Sequence, residues 1–258
     1  MLPTFFLSHG SPMHALNAGA AGEAWQAMAA AITPPVAVLV VTAHWETLQP
    51  TLSAAAAPPM IYDFSGFPDA LYKISYAAKG APALAIRAQA LLTAAHISAA
   101  QEPTRGFDHG TWVPLRKMFP DAAIPVVQLS VQPARDAEHH LAVGRALAPL
   151  TREGVLIVGS GHLTHNLGDW MRGAGRDGVP AYVREFQHWV WEALKQNDSG
   201  KLARYRELAP GAARAHPSPE HFLPLFVARG AAGEQPEVTR TYAGIEGNVL
   251  AMDAYRFG

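Results

Sequence analysis

The sequence predicts an α/β fold: one domain on a central mixed, largely parallel sheet, with helices on both faces. Three observations carry this expectation. Four short runs are almost wholly apolar, as strands buried on both faces require. Stretches of helix-forming composition lie between them, and such alternation marks a layered α/β domain. The end of the chain reads instead as two strands close together, which makes the sheet mixed.

Taken in order, TFFLS (4–8) is the first strand and GAAGEAWQAMAAAI (19–32) the first helix. VAVLVVT (36–42) is the second strand, and the alanine-rich LSAAAAPP (52–59) reads as a loop or strand end. The stretch 80–95 is helical, with Pro82 near its start, where a missing N–H does least harm. PVVQLSV (125–131) and GVLIVGS (154–160) are the third and fourth strands, and 133–150 and 180–197 are helices with proline near the start. VTRTYAG and NVLAMDAYRF, separated by IEG, form the final strand pair. No compositional break or linker divides the chain, so residues 1–258 are expected to form one domain.

The chain has 258 residues, 49% of them hydrophobic, with 20 Lys+Arg against 21 Asp+Glu. A formal charge of -1 offers no electrostatic reason to expect nucleic acid or an anionic membrane as partner. There is no cysteine, which excludes disulfides, thiolate ligands and thiol nucleophiles; any metal must be held by His, Asp or Glu. The start MLPTFFLSHG has no basic region and too short an apolar run for a signal peptide, and no segment reaches the roughly 18 apolar residues of a membrane helix. A cytoplasmic protein acting on small molecules is the expectation.

Twelve histidines remain to be explained. His14, His96, His139, His140 and His188 lie in or beside helical stretches with no motif around them and read as ordinary surface or packing residues. Others do not. In open α/β sheets a ligand sits beyond the carboxyl ends of the strands. His9 follows the first strand, His44 the second, and His162 and His165 the fourth. Imidazoles gathered at one sheet edge need partners, and a metal supplies them.

HPSPEHFLPLF (216–226) reads as a helix start with Ser218 as N-cap, Pro219, Glu220 and His221 in the first turn, and a kink at Pro224. The positive end of the helix would keep His221 neutral, with a lone pair free for a metal. Glu220 is either a partner for the dipole or an oxygen ligand or acceptor, and His216 reads as peripheral. GFDHGTW (106–112) reads as a loop in which Asp108 either orients His109 or terminates a turn, while Thr111 caps the helix that follows.

The motifs LSHGSP, TAHWE, GFDHGTWVPL, SGHLTHNL and PSPEHFLPL, in this order over nearly the whole chain, resemble the class III (LigB-type) extradiol ring-cleaving dioxygenases, and within them the DOPA 4,5-dioxygenase branch. DFSGFPDALY (63–72) and the C-terminal GIEGNVLAMDAYRF agree. The resemblance implies a metal held by His9, His44 and His221, with His165 in the acid/base position and close enough to be a fourth ligand, and His109 assisting in the pocket. Many extradiol enzymes complete the site with a carboxylate; here the match gives a third histidine with Glu220 next door.

The implied cofactor is Fe(II) for activity, with Zn(II) able to occupy the same site, and the implied substrates are a small aromatic diol and O2. Zinc has no accessible redox state and would not support the reaction. Ser11 and Thr164 are candidates to hydrogen-bond substrate oxygens, and Trp45, Phe107, Trp112 and Phe222 to stack on the ring. Two competing readings are a zinc-dependent hydrolase, with Glu220 or His165 as base, and a non-catalytic metal-binding protein on the same scaffold. Retention of His109 and His165 beyond the three ligands argues against the latter.

Overall fold

The computed structural model describes residues 1–258. Its strands are β1 (Thr4–Ser8), β2 (Ala37–Glu46), β3 (Thr51–Ser53), β4 (Ala100–Glu102), β5 (Val126–Val131), β6 (Val155–Gly161), β7 (Val238–Tyr242), β8 (Ile245–Glu246), β9 (Leu250–Ala251) and β10 (Ala254–Phe257). Eight form one sheet in the order β4-β3-β5-β2-β6-β1-β10-β7, and β8 and β9 make a separate hairpin. The centre, β5-β2-β6-β1, is parallel. β10 and β7 extend it antiparallel on one side, the predicted terminal strand pair, and β3 joins β5 antiparallel on the other.

The longer helices are α1 (Gly19–Ala30), α2 (Pro82–Ala94), α3 (His109–Met118), α4 (Ala137–Leu147), α5 (Ala181–Lys195) and α6 (Leu223–Ala231). Successive strand residues face opposite sides, so the apolar runs feed two cores. Phe6, Leu39, Val41, Val127 and Ile157 pack on one face with residues of α2, α4, α5 and α6. Phe5, Leu7, Val38, Val40 and Val158 pack on the other with α1 and α3. No helix is long and apolar enough to cross a membrane.

Several boundaries differ from expectation, each for a local reason. The predicted helix start at Ser218 is wrong: residues 217–222 form turns, with Pro219 O accepting from Phe222 N at 2.9 Å, and α6 begins at Leu223. Pro224 therefore sits in the first turn, where its lack of an N–H is harmless, and no kink arises. The helix expected over 133–150 begins at Ala137, capped by the Asp136 side chain on His139 N at 2.8 Å, and breaks before Pro149.

The GFDHGTW segment is a loop only as far as Asp108. That residue, not Thr111, is the N-cap: its carboxylate accepts from Thr111 N at 3.2 Å and α3 starts at His109. β2 runs on to Glu46, so His44 lies inside the strand, where the pairing with β5 shifts register between Val41 and Glu46.

The packing of α6 on β6 depends on glycine. A Cβ at Gly161 would collide with the carbonyl oxygen of His221, and one at Gly159 with that of Pro224. The bare backbone lets the turn before α6 lie directly on the end of β6, where His162 N donates to His221 O at 2.7 Å.

Candidate metal centre

β1, β2 and β6 are parallel neighbours, so their carboxyl ends share one edge of the sheet. His9 leaves β1 with its N–H bonded to Gly161 O at 3.0 Å, and Gly10 then turns the chain away at φ 69°, a conformation glycine adopts freely. His44 comes from the end of β2, His162 and His165 from the segment after β6, His221 from the turn above it, and His109 from the first position of α3. The ring nitrogens of His9, His44 and His221 offer one atom each within 4.8 Å of one another. The His9 and His44 Nε2 atoms are 2.9 Å apart.

The other nitrogen is hydrogen-bonded in two of the rings and faces a carboxylate in the third. The Ser160 hydroxyl donates to the Gly110 carbonyl, so its oxygen can only accept from His9 Nδ1, 3.0 Å away. Glu220 Oε1 accepts from His221 Nδ1 at 2.8 Å. Asp63 Oδ2 faces His44 Nδ1 at 3.5 Å. A proton on each Nδ1 leaves three bare Nε2 lone pairs converging, and His221 Nε2 is buried with no hydrogen-bond partner. Lone pairs so arranged repel one another unless a cation lies between them, and an acceptor behind each ligating imidazole is the usual support of a metal site. The donor set fits a divalent ion.

Electrostatics agree. Burial first, then the neighbouring histidines, hold His9 and His221 well below the ordinary imidazole range. Burial and then His109 bring His44 down to about 3, against an opposing pull from Asp63. The ligands are therefore neutral, as metal binding requires. The expected helix dipole is not what keeps His221 neutral, since α6 begins two residues later.

Two further histidines flank the centre. His165 stacks on His221, centroids 3.5 Å apart and planes 14° from parallel, and burial followed by the field of His109 lowers it to about 4. His109 lies 4.0 Å from His44 ring to ring and donates Nδ1–H to Asp63 Oδ1 at 2.9 Å. His162 is also near, 5.8 Å from His9, but buried.

The remaining expectations divide. Thr164 is not available to substrate: it is fully buried, donating to Val249 O and accepting from Ala251 N. Phe107, Trp112 and Phe222 are core residues at 0% exposure. Trp45 is 8% exposed and lies under the Arg105 guanidinium, 4.9 Å from its ring centre. Ser11 is exposed and caps a short turn by accepting from Met13 N at 3.3 Å. His216 is buried and not merely peripheral: it bonds Leu163 O at 2.7 Å, while His165 N donates to Ala215 O, stitching together the segments that carry His165 and His221.

Sequence reasoning missed Asp63, Ser160 and Phe64. Phe64 meets His109 edge-on at 5.8 Å and is part of an aromatic group with Tyr62, Phe67 and Tyr72. Asp63 had one available signal, a lone carboxylate between aromatics in YDFSGF.

Comparison with known proteins follows the same line. The family model described as the catalytic LigB subunit of aromatic ring-opening dioxygenase matches residues 3–251. A Beta vulgaris protein named 4,5-DOPA dioxygenase extradiol is 42% identical over 259 residues, 98% of this chain and 96% of the relative. Its namesake from Escherichia coli K12 is 38% identical over 260 residues, 100% and 95%. A crystal structure of an uncharacterized protein from Escherichia coli K12 superposes with a TM-score of 0.81 at 34% identity, covering 100% of both chains. The chain belongs to the LigB family and is an aromatic ring-opening dioxygenase of the non-haem, metal-dependent kind.

Proposed function

We propose that the protein opens a catechol-type ring in extradiol fashion, with DOPA or a close relative as substrate, at Fe(II) held by His9, His44 and His221. The three Nε2 lone pairs, with Nδ1 bonded to Ser160 in His9 and to Glu220 in His221 and facing Asp63 in His44, carry this reading. The names of the relatives support the substrate class. Bound Fe(II) supplies open positions for the two vicinal oxygens and O2 and the redox change that ring cleavage needs, which Zn(II) in the same pocket does not.

The chain's own groups manage protons and the ring. His165 is neutral and stacked against His221, so it takes the second hydroxyl proton as the diol becomes dianionic. His109, its Nδ1–H committed to Asp63, presents a bare Nε2 to the pocket, which takes up the first hydroxyl proton and later returns it to the opening product. Phe64, edge-on to His109, offers an apolar wall for the substrate ring. Ser11, two residues after His9, accepts from Met13 N and keeps its hydroxyl proton free for a substrate oxygen.

The test is anaerobic purification, reconstitution with Fe(II) or Zn(II), and addition of a small panel of catechols while following oxygen uptake and a yellow ring-opened product. Turnover with iron alone is expected. Equal turnover with zinc, or hydrolysis of amide or ester substrates without oxygen uptake, would replace this reading by the zinc hydrolase.

A further inference from the structure

The loop that carries Asp63 belongs to no strand or helix, yet it places one carboxylate behind two histidines of the site. Oδ1 accepts twice from His109, from Nδ1 at 2.9 Å and from the backbone N–H at 3.0 Å. Oδ2 faces His44 Nδ1 at 3.5 Å. Both oxygens are thus turned toward Nδ1 atoms and away from the converging Nε2 atoms.

We infer that Asp63 is a positioning residue that fixes the tautomers of His44 and His109 together, so that one carboxylate prepares a metal ligand and a proton-handling group at once. This deepens the proposed function and rests on it. A carboxylate only accepts hydrogen bonds. The hydrogen bond keeps the His109 proton on Nδ1 and the carboxylate facing His44 favours the same tautomer there, which leaves Nε2 of His44 bare for the ion and Nε2 of His109 bare for the substrate proton. The shared anchor also holds the two rings 4.0 Å apart, so the proton-handling group cannot drift from the metal ligand.

The nearly isosteric Asp63→Asn separates this role from packing. His109 offers two donors to Oδ1, so the amide oxygen must stay there and the amide nitrogen must face His44. An N–H pointing at Nδ1 forces the His44 proton onto Nε2, the atom the metal needs. His109 keeps its tautomer.

The experiment combines chelator competition for Fe(II) with nitrogen-15 NMR of the histidine rings in the metal-free full-length protein, for the wild type, Asp63→Asn and His44→Ala. Expected are a His44 Nδ1–H tautomer in the wild type, its conversion to Nε2–H in Asp63→Asn, and about 10–100-fold weaker iron binding by that variant. Unchanged affinity in Asp63→Asn while His44→Ala loses iron would overturn the inference and leave the metal site standing. Iron loss with an unchanged His44 tautomer would make Asp63 a ligand and overturn it too. Should Asp63→Asn not fold, the wild-type tautomer still decides: Nε2–H on metal-free His44 contradicts the inference. Full iron affinity in His44→Ala would instead remove the metal-site reading itself.

Discussion

Ser160 stands between two elements that never meet in sequence: its hydroxyl donates to the Gly110 carbonyl of α3 and accepts from His9 Nδ1 at 3.0 Å. The carbonyl is free because its helical partner four residues on is Pro114, which has no N–H to give. A proline inside a helix thus determines which way a hydroxyl points, and the hydroxyl determines which nitrogen of His9 faces the ion. Ser160→Ala would leave the buried Nδ1–H without an acceptor. The expected result is about 10–100-fold weaker iron binding with a stability loss of about 1–3 kcal/mol, measured by chelator competition and urea unfolding.

His165 stacks face to face on His221 and brings a ring nitrogen within 4.8 Å of His221 and Glu220, but it is not part of the His9, His44 and His221 set. His165→Ala is expected to retain iron but lower kcat about 10²–10⁴-fold, the usual contribution of a placed acid/base group. Oxygen uptake at saturating catechol reads this out, and undiminished turnover would take the proton-transfer role from His165.

Close contact of α6 with β6 depends on the absence of a side chain at Gly161. Gly161→Ala should push the turn bearing His221 off the sheet end. About 1–3 kcal/mol of destabilisation is expected from overpacking, together with loss of iron affinity. A variant as stable and as tightly iron-binding as the wild type would mean that the turn yields without cost.

Buried neutral histidines make the metal-free protein acid-sensitive. His9, His162 and His221 are held well below the ordinary value by burial first, His140 is lowered to about 4 and His216 to about 3, again chiefly by burial. The unfolded chain protonates these rings near pH ~6.5 and the folded one does not. Stability from this source is complete above that value and falls as pH drops toward the folded pKa values, by up to about 1.4 kcal/mol per pH unit for each ring. Urea midpoints of the metal-free protein should therefore fall steeply from about pH 7 to about pH 5; a flat profile would contradict the burial of neutral imidazoles.

The apolar runs made the parallel core of the sheet legible, because strands buried on both faces admit almost nothing else: β1, β5 and β6 are buried at every position. His9 and His165 were legible as residues following strands for the same reason, and His44 as one near a strand end, although β2 runs two residues past it. The place of His221 in the ligand set came from family resemblance; it was read as a neutral, ligand-competent imidazole from a helix start misplaced by four to five residues. Proline was the source of that error. Pro219 and Pro224 both suit a first helical turn, and only the approach of the turn to Gly161 selects the later start. Ser160 was not legible and the role of Asp63 was not drawn from its motif, because hydrogen bonding to a ring nitrogen leaves no periodic signature and both act on residues far away in sequence.

The most direct test of the central claim is the iron stoichiometry and affinity of the wild type beside His9→Ala, His44→Ala and His221→Ala, each loaded anaerobically. If one ion is shared by the three rings, the wild type takes up one Fe(II) per chain and every single variant binds it more than about 100-fold more weakly. Any one of the three binding iron as tightly as the wild type would contradict the account.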